Sequence, residues 1–241
     1  MIRHSVSVMI PIYNERELAR SEVRQLLGDL NATGLDYELL LVENGSTDDT
    51  LQILQQTAQE DPHIVLGSLP VANYGLALRH GILKSTKDIV VIFNLELRDM
   101  GFMQLCLNDL PSYDLIIASK MMPGAKDERP FLRRVTSRGF NLFLRWVWGF
   151  RGTDTHGMKG FWRESITPIA RRVVTDGFIF ETELVIRAAR MGLRIKEIPV
   201  QVKELRLRST MSLLGRVPGV LIDLWRLLWT LPTQFPFRGR N

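Results

Sequence analysis

A chain of 241 residues, 45% hydrophobic and 24% charged, has the make-up of a globular protein with one large α/β core, or such a core with an appendage. Its single cysteine, Cys106, excludes an internal disulfide framework and suits a reducing compartment, while a net charge of +5 favours anionic partners: nucleic acid, a phosphorylated small molecule or an anionic membrane surface. The N-terminus lacks the charged-then-apolar segment of a signal peptide, and no run reaches the ~18 apolar residues of a membrane span, so a cytoplasmic or peripheral chain is expected.

Ser5 to Ile12 (SVSVMIPI) predicts a first strand, stopped by Pro11 and opening into Tyr13, Asn14 and Glu15. Leu18, Val23, Leu26, Leu27 and Leu30 then recur at helical spacing, and Gly34 closes that helix. Tyr37 to Val42 predicts a second strand, breaking into Glu43, Asn44, Gly45, Ser46 and Thr47 before Asp48 and Asp49. A glycine turn, a Ser/Thr cap and acids suited to a helix dipole account for Ser46 to Asp49 as the start of a helix. They leave Glu43 and Asn44 unexplained at a strand end, the position that Glu15 also occupies. Ile64 to Leu69 predicts a third strand, and Asn73-Tyr74-Gly75 a turn into a helix that runs to Ser85. The run from Ile89 is apolar and largely β-branched, then breaks abruptly into Asn94, Glu96, Arg98 and Asp99. This alternation of strand and helix predicts a mainly parallel sheet flanked by helices, in which ligands occupy the crevice at the carboxyl ends of the strands.

PIYNE at 11–15, VENGSTDDT at 42–50, NYGLALRHG at 73–81 and the strand ending at Asn94 resemble the nucleotide-binding half of the GT-A glycosyltransferases of family 2. More narrowly, the chain is similar to the dolichyl-phosphate mannose synthase group of polyprenyl-phosphate glycosyltransferases. The likeness continues through Ser137-Arg138, DTHGMKGFWRE at 154–164, GFIFETELVIRAARMG at 177–192 and IKEIPVQV at 195–202, and so covers nearly everything to about residue 210. The resemblance implies a GT-A, Rossmann-like α/β fold. It also implies a pocket for a nucleoside-diphosphate sugar lined by Pro11, Tyr13, Glu15, Glu43, Asn44, Gly45, Ser46, Asn73 and Gly75, with Asn94 and Leu95 at the diphosphate.

At that diphosphate the chain departs from the family. Relatives hold a divalent metal, Mg²⁺ or Mn²⁺, with Asp-x-Asp, whereas here Asn94-Leu95-Glu96 removes one carboxylate and lengthens the other. An amide oxygen brings no charge to a hard cation, so Glu96, helped by Asn94, keeps a weakened metal, or Arg98 takes over part of its role, or catalysis is lost. A guanidinium suits the second reading, because it clamps phosphate oxygens bidentately and shares the face of Glu96 if the strand persists.

Leu115 to Ser119 predicts another strand, and Met121 to Pro130 a loop expected to move over the site. From Phe131 to Phe150, Arg133, Arg134, Arg138 and Arg145 are interleaved with Phe140, Leu142, Phe143, Leu144, Trp146, Val147 and Trp148, with no acid among them. That pattern suits a helix on an anionic membrane interface; nucleic acid is disfavoured because no nucleic-acid motif accompanies it. A lone His156 beside glycine reads as a turn residue, and the four histidines show no ligand spacing. The resemblance nevertheless places Arg134, Ser137, His156, Arg163, Glu183 and Arg206 on substrate, and Glu96, Arg98, Arg138, Asp154 and Lys159 at the reacting centre. Lys203 and Arg208 are alternatives to Arg206.

After Pro218, Val220, Leu221, Leu224, Trp225, Leu228 and Trp229 make an apolar stripe that Pro232 ends. A helix of about 14 residues spans only ~21 Å, so it lies on a membrane or docks on the domain. The expected organisation is a glycosyltransferase domain over 1–212 and an amphipathic helix and tail over 213–241. The expected function is inverting transfer of a sugar from a nucleoside diphosphate to a lipid phosphate, by a cytoplasmic enzyme peripherally associated with the membrane. Transfer to a hydroxyl, with Asp154 as base, and a catalytically impaired sugar-nucleotide-binding protein are the alternatives.

Overall fold

The apolar run Val6–Ile12 forms a strand whose residues are all buried except Pro11, which is partly so. It is the first element of a computed structural model that describes residues 4–95, 98–202 and 210–233. The strands and helices of the first half are β1 (Val6–Ile12), α1 (Ala19–Thr33), β2 (Tyr37–Asn44), α2 (Thr50–Ala58), β3 (Ile64–Leu69), α3 (Tyr74–Lys84), β4 (Ile89–Ile92) and α4 (Met100–Asp109). There follow β5 (Leu115–Ser119), β6 (Lys126–Asp127), α5 (Phe131–Trp148), β7 (Lys159–Trp162) and α6 (Arg163–Ala170). The chain continues through α7 (Ile179–Arg190), β8 (Ile195–Pro199), β9 (Gln201–Val202) and α8 (Thr210–Thr230). Two compact units emerge, Met1–Ile116 with Met158–Arg172, and Ile117–Gly157 with Val173–Asn241.

In the first unit the strands lie in the order β3-β2-β1-β4-β7-β5. β1 runs parallel to β2, from Val6 opposite Tyr37 to Ile12 opposite Glu43, and parallel to β4, from Val6 opposite Ile89 to Met9 opposite Ile92. All eight residues of β2 are buried, as expected of a parallel strand covered on both faces. Helix α1 presents Ala19, Val23, Leu26, Leu27 and Leu30 inward at three- and four-residue spacing, and each fully buried leucine contributes about 1.5–3 kcal/mol. Gly34 closes it with φ 63°, a left-handed turn that glycine adopts without strain. Because the chain passes from β1 to β2 and β3 on one side and returns to β4 on the other, a crevice opens at the carboxyl ends of β1 and β4.

One strand departs from expectation, and another was not read from the sequence. β4 stops at Ile92; Phe93 donates its N–H to Met9 O at 3.0 Å, Asn94 is an isolated bridge and Leu95 turns away. Strand alternation therefore does not carry through to Arg98. β7 lies antiparallel on β4, Lys159 opposite Ile92 and Trp162 opposite Ile89. Helix α4 packs on β7 so closely that a Cβ on Gly160 would lie 2.8 Å from the Cβ of Cys106. Cys106 is buried, and burial pushes its thiol pKa far up.

β5 runs on into the second unit, where β8 lies beside it and Val200 N–H donates to Ser119 O at 3.2 Å. The segment between Met121 and Pro130 is less free than a loop, because β6 pairs in parallel with β9, Lys126 opposite Gln201 and Asp127 opposite Val202. Asp127 also binds Arg129 bidentately, at 2.8 and 2.7 Å.

Helix α8 begins at Thr210 and carries Pro218 in its interior, whereas the sequence suggested a start at Pro218. Proline's φ is helical, so the helix continues upstream at the cost of one backbone hydrogen bond. Asp223, Leu227 and Leu231 are buried, while Leu221, Trp225 and Trp229 of the apolar stripe are 60–62% exposed, so these stripe residues are not the ones that dock on the domain. No helix among the described residues is long and apolar enough to cross a membrane.

Burial of Asp223, and to a lesser degree Asp176 and Glu183 nearby, raises its pKa against the opposing pull of the Gly177 N–H and Arg226. A carboxyl whose pKa is raised on folding stabilises the fold below its unfolded pKa, and that stability is lost as pH rises through the folded value. Asp223→Asn is accordingly expected to raise the melting temperature at pH 7, with the gain shrinking as pH falls toward the ordinary carboxyl range. A gain that is absent at pH 7, or that grows on acidification, would contradict this account.

Candidate functional site

The first unit brings a set of polar groups to the carboxyl ends of β1, β2 and β3. Glu43, 1% exposed, accepts the Ser46 N–H at 2.5 Å with one oxygen and the Ser68 hydroxyl at 2.7 Å with the other. Asn44 accepts the Asn73 N–H at 2.7 Å, and Asn73 in turn caps α3 by accepting from Leu76 N–H at 3.2 Å. Asn14 stands at φ 53°, uncommon for a residue other than glycine. Its backbone N–H donates to Ser46 Oγ at 3.0 Å, and its side-chain Oδ1 accepts from Thr47 N–H at 2.8 Å. Glu15 N–H donates to Thr50 Oγ1 at 2.8 Å.

These contacts tie the turn after β1 to the turn after β2, and the latter to the start of α3. Gly45 makes the last connection possible: at φ 65°, a Cβ there would lie 2.5 Å from Val71 C and 2.6 Å from Ala72 N. The side chains of Glu43 and Asn44 thus build the frame that holds these turns together. Ser46 and Gly75 belong to that frame, Pro11 sits in β1 opposite Val42, and Tyr13 is 43% exposed. Thr47, Thr50 and Ser68 complete it. Their hydroxyls were not singled out from sequence, where Ser and Thr after a strand look like ordinary cap residues.

At the end of β4, Asn94 is exposed and Leu95 is 5% exposed. Glu96 lies outside the described residues. The guanidinium of Arg98 pairs with Glu22 of α1, and Asp99 caps α4 by accepting Phe102 N–H at 3.0 Å. This corrects the expectation that Arg98 follows the strand face toward a diphosphate: the strand ends early and Glu22 engages the charge. Lys159, 0% exposed, is in β7 opposite Ile92, at the carboxyl end of β4. Arg163 is a second correction, because the antiparallel course of β7 carries it to the opposite end of β4, where its Nε donates to Lys87 O at 2.9 Å.

The second unit holds the remaining candidates. Asp154, 3% exposed, accepts from Lys120 Nζ at 2.7 Å and from His156 N–H at 2.9 Å. Lys120 also donates to His156 O, making it the organiser of this turn. The only trace of that role in the sequence is a lysine just after a strand. His156 Nε2 lies 2.9 Å from Phe178 O and Nδ1 3.0 Å from Thr155 Oγ1, a pattern satisfied by a proton on Nε2. Glu197 accepts Thr153 N–H at 2.8 Å and Asp154 N–H at 3.1 Å. Glu183, 0% exposed, accepts Val174 N–H at 3.1 Å, Thr175 N–H at 2.9 Å and Arg187 Nε–H at 2.6 Å. It was expected on substrate; burial and these donors make it an anchor for the turn before α7.

On α5, Arg134 stacks over Phe131 with its carbon 5.9 Å from the ring centroid, and Ser137 accepts a long contact of 3.5 Å from Arg129. Arg138 lines an open cleft of about 280 Å³ with Met121, Asn141, Leu142, Arg145, Gly152 and Thr153. Arg206, with Lys203 and Arg208, lies outside the described residues. Among the described residues no group of three His, Cys, Asp or Glu side chains could hold a metal ion. The described donor at the β4 end is the uncharged Asn94, so a cation there would depend on Glu96 and on the ligand's own phosphates.

A mainly parallel α/β sheet whose polar groups gather at the switch point is the architecture of a GT-A domain. Residues 7–95, which contain the whole of that strand-end frame, match the model of glycosyl transferase family 2. The chain is 28% identical over 235 residues to glycosyltransferase AglD of Haloferax volcanii, covering 92% of this chain and 37% of that protein. It is 26% identical over 243 residues to the undecaprenyl-phosphate mannosyltransferase of Micrococcus luteus, covering 95% of this chain and 96% of that one. The chain thus spans little more than a third of the first relative and nearly all of the second. The fold is shared with glucosyl-3-phosphoglycerate synthase of Mycobacterium tuberculosis in complex with Mn²⁺, UDP-glucose and phosphoglyceric acid. That likeness has a TM-score of 0.69 at 21% identity, over 92% of this chain and 79% of the synthase.

Proposed function

We propose that the protein is an inverting glycosyltransferase that moves a sugar from a nucleoside diphosphate to a lipid phosphate, such as a polyprenyl phosphate, at the cytoplasmic surface of a membrane. The observation that carries this reading is the strand-end frame of Glu43, Asn44, Gly45 and Asn73 within the segment that matches family 2. In this reading Tyr13 stacks on the base of the donor, and the turns after β1 and β2 hold its nucleoside. The Micrococcus relative, named for transfer to undecaprenyl phosphate and matched over nearly its whole length, supports a lipid phosphate as acceptor. A divalent cation on the diphosphate, held in part by Glu96 and Asn94, would supply charge neutralisation.

The acceptor chemistry agrees with the side chains present. A phosphate monoester is already an anion at neutral pH, so its oxygen attacks the anomeric carbon without prior deprotonation while the bond to the nucleoside diphosphate breaks. What it requires is positioning and screening, which Arg134 suits. A hydroxyl acceptor would need a base, and Asp154 is ill suited, being 3% exposed with its oxygens engaged by Lys120 and His156. The exposed apolar side chains of α5, among them Phe131, Leu142 and Trp146, beside its arginines, favour contact with an anionic bilayer.

The deciding experiment supplies a panel of nucleoside-diphosphate sugars with either a polyprenyl phosphate or the matching polyprenol in vesicles. Sugar transfer to the phosphate and none to the alcohol is expected. Equal transfer to the alcohol would replace the acceptor assignment, and donor binding without turnover on either would leave a sugar-nucleotide-binding protein.

A further inference from the structure

The second unit has a feature that the proposed acceptor contact at Arg134 leaves unused. Arg138 and Arg145 stand seven residues apart on α5, on one face and ~10 Å apart along the axis. Arg129 and Arg187 in the same unit are paired with Asp127 and Glu183. Neither Arg138 nor Arg145 has an ion-pair partner among the described residues, and residues 131–150 contain no acid. The two arginines border the cleft of about 280 Å³ whose other walls are Met121, Leu142 and the Gly152-Thr153 turn. Those walls are fixed before any ligand arrives. Asn141 donates to Thr153 O and to Met121 Sδ, the latter at 3.2 Å, and Glu197 holds Thr153 N–H at 2.8 Å from behind. Leu142, 67% exposed, is the apolar rim, and Trp146, 64% exposed, is one turn further along α5.

We infer that this cleft binds the headgroup of a single anionic phospholipid, its phosphate between Arg138 and Arg145 and the start of its chains against Leu142 and Trp146. Two guanidiniums without carboxylates call for an anion, and an adjoining exposed apolar rim calls for one with a hydrocarbon attached. Prefixed walls reduce the ordering cost that a weak surface contact would otherwise carry. The ligand is a lipid of the bilayer itself, held without reacting. The site would therefore register the protein on an anionic patch of membrane, separately from the acceptor that receives sugar.

The test uses the full chain, no sugar donor, and three probes: dihexanoyl phosphatidylglycerol below its micellar concentration, dihexanoyl phosphatidylcholine, and inorganic phosphate. Titration followed by calorimetry is expected to show saturable, one-to-one binding of the phosphatidylglycerol. Affinity should fall about tenfold in Arg145→Ala, the loss of one charge-assisted contact, and similarly in Leu142→Asp. Both positions are exposed, so an unchanged melting temperature verifies that the variants fold. Equal binding of phosphatidylcholine would overturn the anionic assignment, and inorganic phosphate binding as tightly as the lipid would reduce the cleft to a bare anion site. No saturable binding, or binding indifferent to Arg145→Ala, would remove the inference entirely. Because no donor is present, any of these results leaves the sugar-transfer reading to its own experiment.

Discussion

Gly45→Ala is expected to abolish the nucleotide binding proposed for the first unit and to lower its stability. Alanine at φ 65° costs about 1–2 kcal/mol for the left-handed backbone alone. Its Cβ would also sit 2.5 Å from Val71 C and 2.6 Å from Ala72 N, which are backbone atoms that cannot rotate aside, and overpacking of this kind costs about a further 1–3 kcal/mol. Relief requires the turn after β2 to separate from the chain leading to Asn73. That movement breaks the 2.7 Å bond from Asn73 N–H to Asn44 and unseats the cap of α3. Gly28→Ala is the matched control: it lies within α1 with nothing within 4 Å of the added atom, and should stabilise by about 0.5–1 kcal/mol. Calorimetric titration with UDP and GDP, alongside thermal melts, checks both variants. A Gly45→Ala protein that binds nucleotide like the parent would show that the frame is not the binding pocket.

Glu183→Ala should be the most destabilising single change in the second unit. The substitution strands the N–H groups of Val174 and Thr175, the Thr175 hydroxyl and the Arg187 guanidinium, four donors that one fully buried carboxylate satisfies. Breaking a buried ion pair by removing one partner costs about 3–5 kcal/mol, enough to unfold a marginally stable unit. Glu183→Gln keeps an acceptor oxygen while losing the charge, and should fall between the two. The sequence had suggested contact with substrate, and that role makes the opposite forecast: a normal melting temperature with lost turnover. Denaturation curves of the three proteins separate the two outcomes without any need for the substrate.

Much of the first unit was legible because its signals are local. Parallel strands covered on both faces read as unbroken apolar runs, as β2 does, and Asn73 and Gly34 mark helix ends through the chemistry of their own side chains or backbones. The extension of β2 by Glu43 and Asn44 was harder to see, since a buried carboxylate at a strand end makes sense only once Ser46 N–H and the Ser68 hydroxyl are known to meet it. What stayed hidden depends on partners distant in sequence. Nothing near Arg98 announces Glu22, 76 positions earlier. Nothing near Arg163 tells that β7 runs antiparallel and so carries it away from the end that Asn94 occupies. The exposed tryptophans of α8 have the same origin: an apolar stripe shows that a helix has a preferred side, and only packing decides whether Asp223 or Trp225 turns inward.

The short pairing of β6 with β9 changes how motion in the second unit should be imagined. A flap swinging on its own two ends would answer only to what binds beneath it. Here Lys126 and Asp127 are latched to Gln201 and Val202, and Lys126 N–H reaches Val200 O at 3.2 Å. Two residues of ladder make a weak latch, one that opens locally at far smaller cost than unfolding. While it is closed, a displacement of either stretch is transmitted to the other as through a hinge pin. Opening and closing then become a single event shared by segments more than seventy residues apart, with one rate rather than two.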